Sequence, residues 1–343
     1  MRKLLNTLYV SSQGSYIHKA GDTIVVEREQ QKLLQLPAHT IGGIVCFGNV
    51  LCSPFLLGFC AEHDIAISFL TEYGNFLASV RGPISGNVLL RREQYRMADN
   101  AEITRSVAAN IVMGKLANSR LVINRATRDH REKLDVDTIK RASSSIDRLI
   151  EELPRTINVD KVRGIEGMAA AEYFALFNHL IIDQKEDFVF KDRNRRPPLD
   201  PVNALLSFVY TLLAHDVRSS LETVGLDPAV GFLHRDRPGR AGLALDLMEE
   251  FRPVIADRLV LSLINRRQVN LKGFKKAENG AVVMDDATRK TVLTEYQNKK
   301  QYEIFHPYIE EKIPLGLLFF IQANLMARFI RGDIDGYPPF FWR

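Results

Sequence analysis

GLDPAVGFLHRDRPGRAGLALDLMEEFRP, residues 225–253, is the stretch on which the reading of the fold turns. Gly225 suits the left-handed position that ends a helix, Asp227 suits an N-cap and Pro228 a first helical position, so one helix is expected to stop here and another to start. A loop follows in which His234 stands among Arg235, Asp236, Arg237 and Arg240, and a new periodic segment begins near Ala241. At about 100° per residue, Asp246, Glu249 and Glu250 share one arc of a helix, while Ala244, Leu247, Met248 and Phe251 cover the other side. The expectation is a helix that buries its apolar side and turns its carboxylates outward.

Carboxylate oxygens and a neutral imidazole suit a divalent cation that activates water or grips phosphate. On spacing alone, a solvated acidic face explains the same residues. A further candidate ligand lies upstream, at Glu166 in RGIEGMAAAEYF, residues 163–174. It is placed at the start of a helix whose next turns carry Gly167, Ala169, Ala170 and Ala171, small enough for close approach by another helix or a substrate backbone. A first-turn Glu also complements the helix dipole, which gives it a structural explanation as well.

Four separated motifs occur in order: Glu166 in RGIEG, RRPPLDPVNALLSFVYTLL at 195–213, His234 in GFLH, and LDLMEEFRP. Together they resemble the CRISPR-associated spacer-acquisition integrase family, also called Cas one, over nearly the whole chain. The resemblance implies an α+β fold, with a small β-rich N-terminal domain followed by a larger all-helical catalytic and DNA-binding domain. It implies that Glu166, His234 and Glu249 hold a manganese or magnesium ion, with Asp246 beside them; some relatives carry Asp where Glu249 stands. It also implies a homodimer formed through the β-rich domain, and a small companion subunit, Cas two, bridging two dimers. The reaction implied is metal-dependent insertion of short foreign-DNA spacers into the repeats of a CRISPR array, by attack of a 3′-hydroxyl. A histidine ligand must be neutral, so activity is expected to fall below the imidazole range.

At 343 residues the chain is long for one core, and its 46% apolar content can supply two. The boundaries read from sequence are 1–86 for the β-rich domain with its linker and 87–343 for the helical domain. Net charge is +5, with a pI near 9.0. Residues 1–87 carry six Lys/Arg and six Asp/Glu, so the whole excess falls on 88–343, where the candidate site lies. Cys46, Cys52 and Cys60 are odd in number, lack Cys-x-x-Cys spacing and sit in apolar runs, as reduced core residues of a cytoplasmic protein do. No signal-peptide pattern opens the chain and no run is long enough to cross a bilayer, so no membrane association is expected.

In chain order, the runs 4–10, 23–27, 41–47, 65–70 and 76–81 read as strands, with one helix at 54–63 and turns at Ala20-Gly21-Asp22 and Tyr73-Gly74-Asn75. His18, His39 and His63 are scattered through this part and read as structural. Gly82-Pro83 and Gly86 mark the linker. Residues 87–153 are helix-forming and studded with cations, among them Lys115, which read mainly as solubilising charges. A polar excursion at 184–198 carries Arg193, Arg195 and Arg196. Asp200-Pro201 is an N-cap and first-turn Pro opening a helix through Leu213.

Helix is expected again at 255–265, 286–300 and 315–330. The basic cluster Arg266, Arg267, Lys272, Lys275 and Lys276, with Arg235, Arg237 and Arg240 of the loop, is the candidate contact surface for a double-stranded DNA backbone, with an ordinary solvated loop as its alternative. The aromatic end, YPPFFWR at 337–343, suits packing either on its own domain or on a partner. No phosphate-binding loop, nucleophile elbow or dinucleotide fingerprint is present. Two other readings of function remain on sequence alone: a general repair nuclease acting on branched DNA, and a non-catalytic DNA-binding scaffold.

Overall fold

A computed structural model describes residues 5–72, 74, 76–80, 88–194 and 196–343. The expectations at Leu4, Tyr73, Asn75, Arg81, the linker at 82–86, and Arg195 lie outside these residues. The chain forms two compact units: Met1–Ser85 with Leu293–Tyr302, and Gly86–Val292 with Glu303–Arg343.

The first unit holds two four-stranded sheets. In one, β1 (Asn6–Val10) lies parallel to β5 (Ile41–Phe47), β5 lies parallel to β7 (Ala66–Leu70), and β8 (Phe76–Val80) closes the edge antiparallel to β7. In the other the order is β4 (Gln31–Pro37), β3 (Thr23–Arg28), β2 (Ser15–Ala20), β6 (Val50–Cys52). β5 has parallel neighbours on both sides and is buried almost throughout, so it reads as a near-continuous apolar run rather than an alternating one. Helix α1 (Pro54–Glu62) is capped by the Ser53 hydroxyl, which accepts from Leu56 N at 3.1 Å. Ile17, Ile24, Ile44, Leu56 and Ile67 form the centre of this core. Each contributes about 1.5–3 kcal/mol by leaving water.

β2, β4 and β6 went unread in the sequence, for distinct reasons. β4 is an edge strand with almost no buried face, so its side chains follow no alternation. β2 carries His18 and Lys19, and β6 is only three residues long.

The second unit is mainly helical. Its helices are α2 (Val88–Asp99), α3 (Ala101–Asp129), α4 (Val136–Glu152), α5 (Val159–Leu180), α6 (Pro201–Thr223), α7 (Gly242–Met248), α8 (Arg258–Asn265) and α10 (Leu318–Arg331); α9 (Asp286–Lys300) begins in it. Side chains fix the starts: Asn100 Oδ1 accepts from Glu102 and Ile103 N, Asn158 from Lys161 N at 2.9 Å, and Asp200 from Asn203 N at 2.8 Å. α3 packs on α4 and α5, and α6 on α7 and α10. Between α7 and α8, residues Arg252–Asp257 take a wider π-type turn, where Pro253 has no N–H to continue an α ladder. Among the described residues, no helix is long and apolar enough to cross a membrane.

Three expectations are corrected here. The C-terminal part is not all helix, because two short hairpins interrupt it: β9 (Phe274–Lys276) with β10 (Val282–Met284), and β11 (Glu303–His306) with β12 (Glu311–Pro314). Strands of three and four residues are too short to show a period. Asp227 and Pro228 do not open a helix: Gly225 does end α6 in the left-handed region (φ 86°), but Asp227 Oδ1 accepts from Ala229 N in a turn. Glu166 is not in a first turn, since α5 begins seven residues earlier, and dipole complementation no longer explains it.

Candidate active site

The loop before α7 is wound around one carboxylate. Asp246, fully buried, accepts the backbone N–H groups of Phe232 (2.6 Å), Leu233 (2.9 Å) and His234 (2.9 Å). His234 Nδ1 lies 2.6 Å from the same carboxylate. An ionised Asp is an acceptor only, so Nδ1 carries the proton and Nε2 keeps its lone pair for the site. The winding needs glycine twice. A Cβ on Gly231 would meet Asp246 Oδ2 and lie 2.7 Å from the Gly242 carbonyl carbon, and one on Gly242 would lie 2.6 Å from Ala229 O. Asp246 therefore fixes the imidazole in one orientation.

Glu166, from α5, and Glu249, just past α7, both reach the Lys115 ammonium from α3. Glu249 Oε2 is 2.7 Å from Lys115 Nζ, and Oε1 is 2.8 Å from Arg252 NH1 and 4.0 Å from His234 Nε2. Glu166, His234 and Glu249, far apart in sequence, thus come together in one place. Burial alone would push the Glu249 carboxyl up, but Arg252, Lys115 and His234 outweigh it and hold it at about 2. Burial likewise works against the Lys115 ammonium, and Glu249 and Glu166 more than reverse it. The helix does not present carboxylates to solvent as its pattern suggested: Asp246, Glu249 and Glu250 are all buried. They differ in how they are compensated. Glu250 has neutral partners only, and burial raises its carboxyl to about 8.

Lys115 is the residue that sequence reasoning missed. It stood in the sequence as one cation of a studded helical region, and its only distinguishing signal was its place on the buried stripe of Ile111, Val112 and Leu116. Arg252, inside the quoted motif LDLMEEFRP, was not singled out either. Lys115, Arg252 and Arg193 line a cavity of about 290 Å³ together with Phe174 and Tyr210, and the Tyr210 ring lies under the Arg252 (4.9 Å) and Arg193 (5.3 Å) guanidiniums. His234 lines a second cavity of about 350 Å³ with Arg163 and Arg235.

Of the remaining candidate cations, Arg235 shares the second cavity with His234. Arg235 pairs with Asp160 at 3.0 Å, and Arg237 is exposed. Arg240 NH1 reaches the Arg235 carbonyl at 3.5 Å. Arg267 is engaged with Asp183 at 2.8 Å, while Arg266, Lys272, Lys275 and Lys276 are exposed.

Two carboxylates and an imidazole are the donors that a hard or borderline divalent cation takes. The two carboxylates already share a cation, the Lys115 ammonium, and Glu249 Oε2 has no hydrogen bond of good geometry despite its burial. The residue types therefore fit a metal. Among the described residues, no group of three or more His, Cys, Asp or Glu side chains stands ready-made around a metal position, and it is Lys115 that both glutamates contact.

The fold, a β-rich unit followed by a mainly helical one, is shared with solved structures. A CAS1 protein from Thermotoga maritima superposes with TM-score 0.81 at 25% identity, over 96% of this chain and 97% of that one. A casposase bound to integration product shares the fold at TM-score 0.84 and 22% identity, over 96% and 92%. The chain belongs to the family of CRISPR associated protein Cas1, whose family model matches residues 8–298. The CRISPR-associated endonuclease Cas1 1 of Chlorobaculum tepidum is 54% identical and the CRISPR-associated endonuclease Cas1 2 of Rhodospirillum rubrum 49% identical, each over the full length of both chains.

Proposed function

We propose that this protein is a metal-dependent DNA endonuclease and integrase that inserts short foreign-DNA segments into a CRISPR array by phosphoryl transfer. The observation that carries the reading is that Glu166 and Glu249 share the Lys115 ammonium, with His234 Nε2 4.0 Å from Glu249 Oε1. Full-length relatives named as CRISPR-associated endonucleases support the same reading.

In this proposal Glu166, Glu249 and His234 Nε2 hold Mn²⁺ or Mg²⁺. The bound ion would polarise a scissile phosphate and stabilise charge developing on its oxygens during in-line attack by a 3′-hydroxyl or water. Asp246 keeps the imidazole in one tautomer with its lone pair toward the site. Arg252 neutralises Glu249 from the side, and with Lys115 and Arg193 lines a cavity suited to the phosphates of a strand end. The exposed cations Arg266, Lys272 and Lys275 would track the backbone farther along the duplex. The partners proposed are the spacer precursor, the repeat DNA, a second copy of this chain and the Cas2 subunit.

The test is insertion of a short duplex into a repeat-bearing plasmid with purified Cas2 and Mn²⁺. Wild type is expected to insert, and Glu249→Ala to lose about 10²–10³-fold in rate, the scale of losing one preorganised charge-stabilising group. Equal insertion by both would remove Glu249 from the chemistry. Cleavage of branched junctions without Cas2, in place of insertion, would favour a repair nuclease.

A further inference from the structure

Residues 337–342 tie down both elements that carry the paired charges of the site. Tyr337 OH donates to Glu250 Oε1 at 2.7 Å, and Phe340 N donates to Glu250 Oε2 at 2.8 Å. Gln322, from α10, donates to Tyr337 OH at 2.7 Å and to Glu250 Oε2 at 3.2 Å. On α3, Asn118 Nδ2 donates to the Glu250 carbonyl at 2.8 Å and to the Phe340 carbonyl at 2.9 Å, while its Oδ1 accepts from Trp342 N at 2.8 Å. Gly114 completes the seam: a Cβ there would lie 3.1 Å from Pro339 Cβ and 3.2 Å from Glu250 Cγ. Tyr337, Phe340, Glu250, Asn118 and Gln322 are all at most 1% exposed.

Three of the anchors are near neighbours of a site residue in the chain. Glu250 follows Glu249, and Gly114 and Asn118 flank Lys115 on α3. A closed set of buried hydrogen bonds has few alternative arrangements, because breaking one leaves a donor or acceptor unpaired at about 1–3 kcal/mol. Such a set transmits position along the backbone more stiffly than apolar packing does.

We propose that residues 337–342 form a positioning strap that holds the Glu249 carboxylate and the Lys115 ammonium in register, with Tyr337 as its principal positioning residue. The strap touches neither DNA nor metal and acts through Glu250 and Asn118. Its relevance to metal binding rests on the function proposed above.

The experiment compares two variants of the full chain. Tyr337→Phe deletes the hydroxyl that reaches Glu250 and keeps the ring; Phe340→Leu keeps the backbone N–H and deletes ring contacts with Phe251 and Trp342. Amide hydrogen exchange in the metal-free protein is expected to rise in Tyr337→Phe at both 113–119 and 248–252. In Mn²⁺ titrations Tyr337→Phe should bind about tenfold more weakly, the usual scale for groups that orient a ligand. Its kcat for insertion should fall with KM for DNA unchanged. Phe340→Leu should lower the thermal midpoint at least as much, yet leave Mn²⁺ affinity and kcat within about twofold, because its effect is on packing alone. Faster exchange confined to 337–342, or losses of affinity that track the thermal midpoint equally in both variants, overturns the strap. If Glu249→Ala binds Mn²⁺ as wild type does, the metal reading fails, and hydrogen exchange alone decides the strap.

Discussion

Residues 5–80 and residues 88–292 treat polar side chains in opposite ways. Among the described residues of 5–80 the buried polar side chains are Ser15, Ser53 and Ser68, and the core is otherwise apolar. Across residues 88–292 the buried set includes Lys115, Asn118, Asp246, Glu249, Glu250 and Asp257. Charge is expensive to bury and stays ionised only where it is paired. The helical unit buries acids and cations against one another, and it does so where α3, α5 and the segment after α7 meet.

The strongest way to break this contrast is Lys115→Met. It leaves Glu166 and Glu249 without the ammonium they share, and is expected to cost about 3–5 kcal/mol in chelator, since one partner of a buried set is removed. Mn²⁺ should restore more stability to the variant than it adds to wild type, as read by thermal melts with and without chelator. Equal Mn²⁺ responses in the two proteins would show that ammonium and metal do not share a place.

The matching change in the β-rich unit is Ile44→Ala, in the centre of β5. A cavity of that kind costs about 2–4 kcal/mol by denaturant unfolding. Mn²⁺ affinity should be unchanged, because no paired charge is involved; a large loss of affinity would contradict the division of labour between the units.

Glu250→Gln gives the smallest effect and separates the two buried glutamates. The folded Glu250 carboxyl titrates at about 8, above its ordinary 4.5. The folded state therefore holds a proton that the unfolded state has lost between those values, and this contribution to stability declines as pH rises through that window. One such proton gives a slope of at most about 1.4 kcal/mol per pH unit. The variant should flatten the decline in urea midpoint from pH 5 to 8. Glu249, held at about 2, works in the other direction: its stabilisation is present above pH 4.5 and is lost as pH falls toward 2. An unchanged slope in Glu250→Gln would mean that Glu250 is already ionised at neutral pH.

Much of the local structure was legible because its causes are local. Asp200-Pro201 marks the start of α6 through a side chain three residues from the amide it caps, and Gly225 marks its end through a positive φ. β5 declares itself by an unbroken apolar run. Where local signals coexist with strong tertiary pairing they misled: Asp227-Pro228 carries the letters of a helix start, but Asp227 N is taken by Gln94 Oε1 at 2.9 Å from α2 and its Oδ2 by Tyr95 OH at 2.8 Å. The acidic periodicity of residues 246–250 was read as one solvated face, whereas Asp246, Glu249 and Glu250 are buried against three different sets of partners, because periodicity does not report what covers a residue.

By itself, then, the chain's sequence determined which residue types could bind a cation, that they lie in the half carrying the net positive charge, and where most helices and central strands begin. Only the tertiary structure decided that Lys115 is the cation between Glu166 and Glu249, that Asp246 serves His234, and that the aromatic tail belongs to its own unit. Those outcomes depend on contacts such as Asn118 with Glu250, 132 residues apart in the chain. Neither spacing nor propensity encodes a partner at that range. It is fixed when the helices pack and each buried polar group is left with one available match.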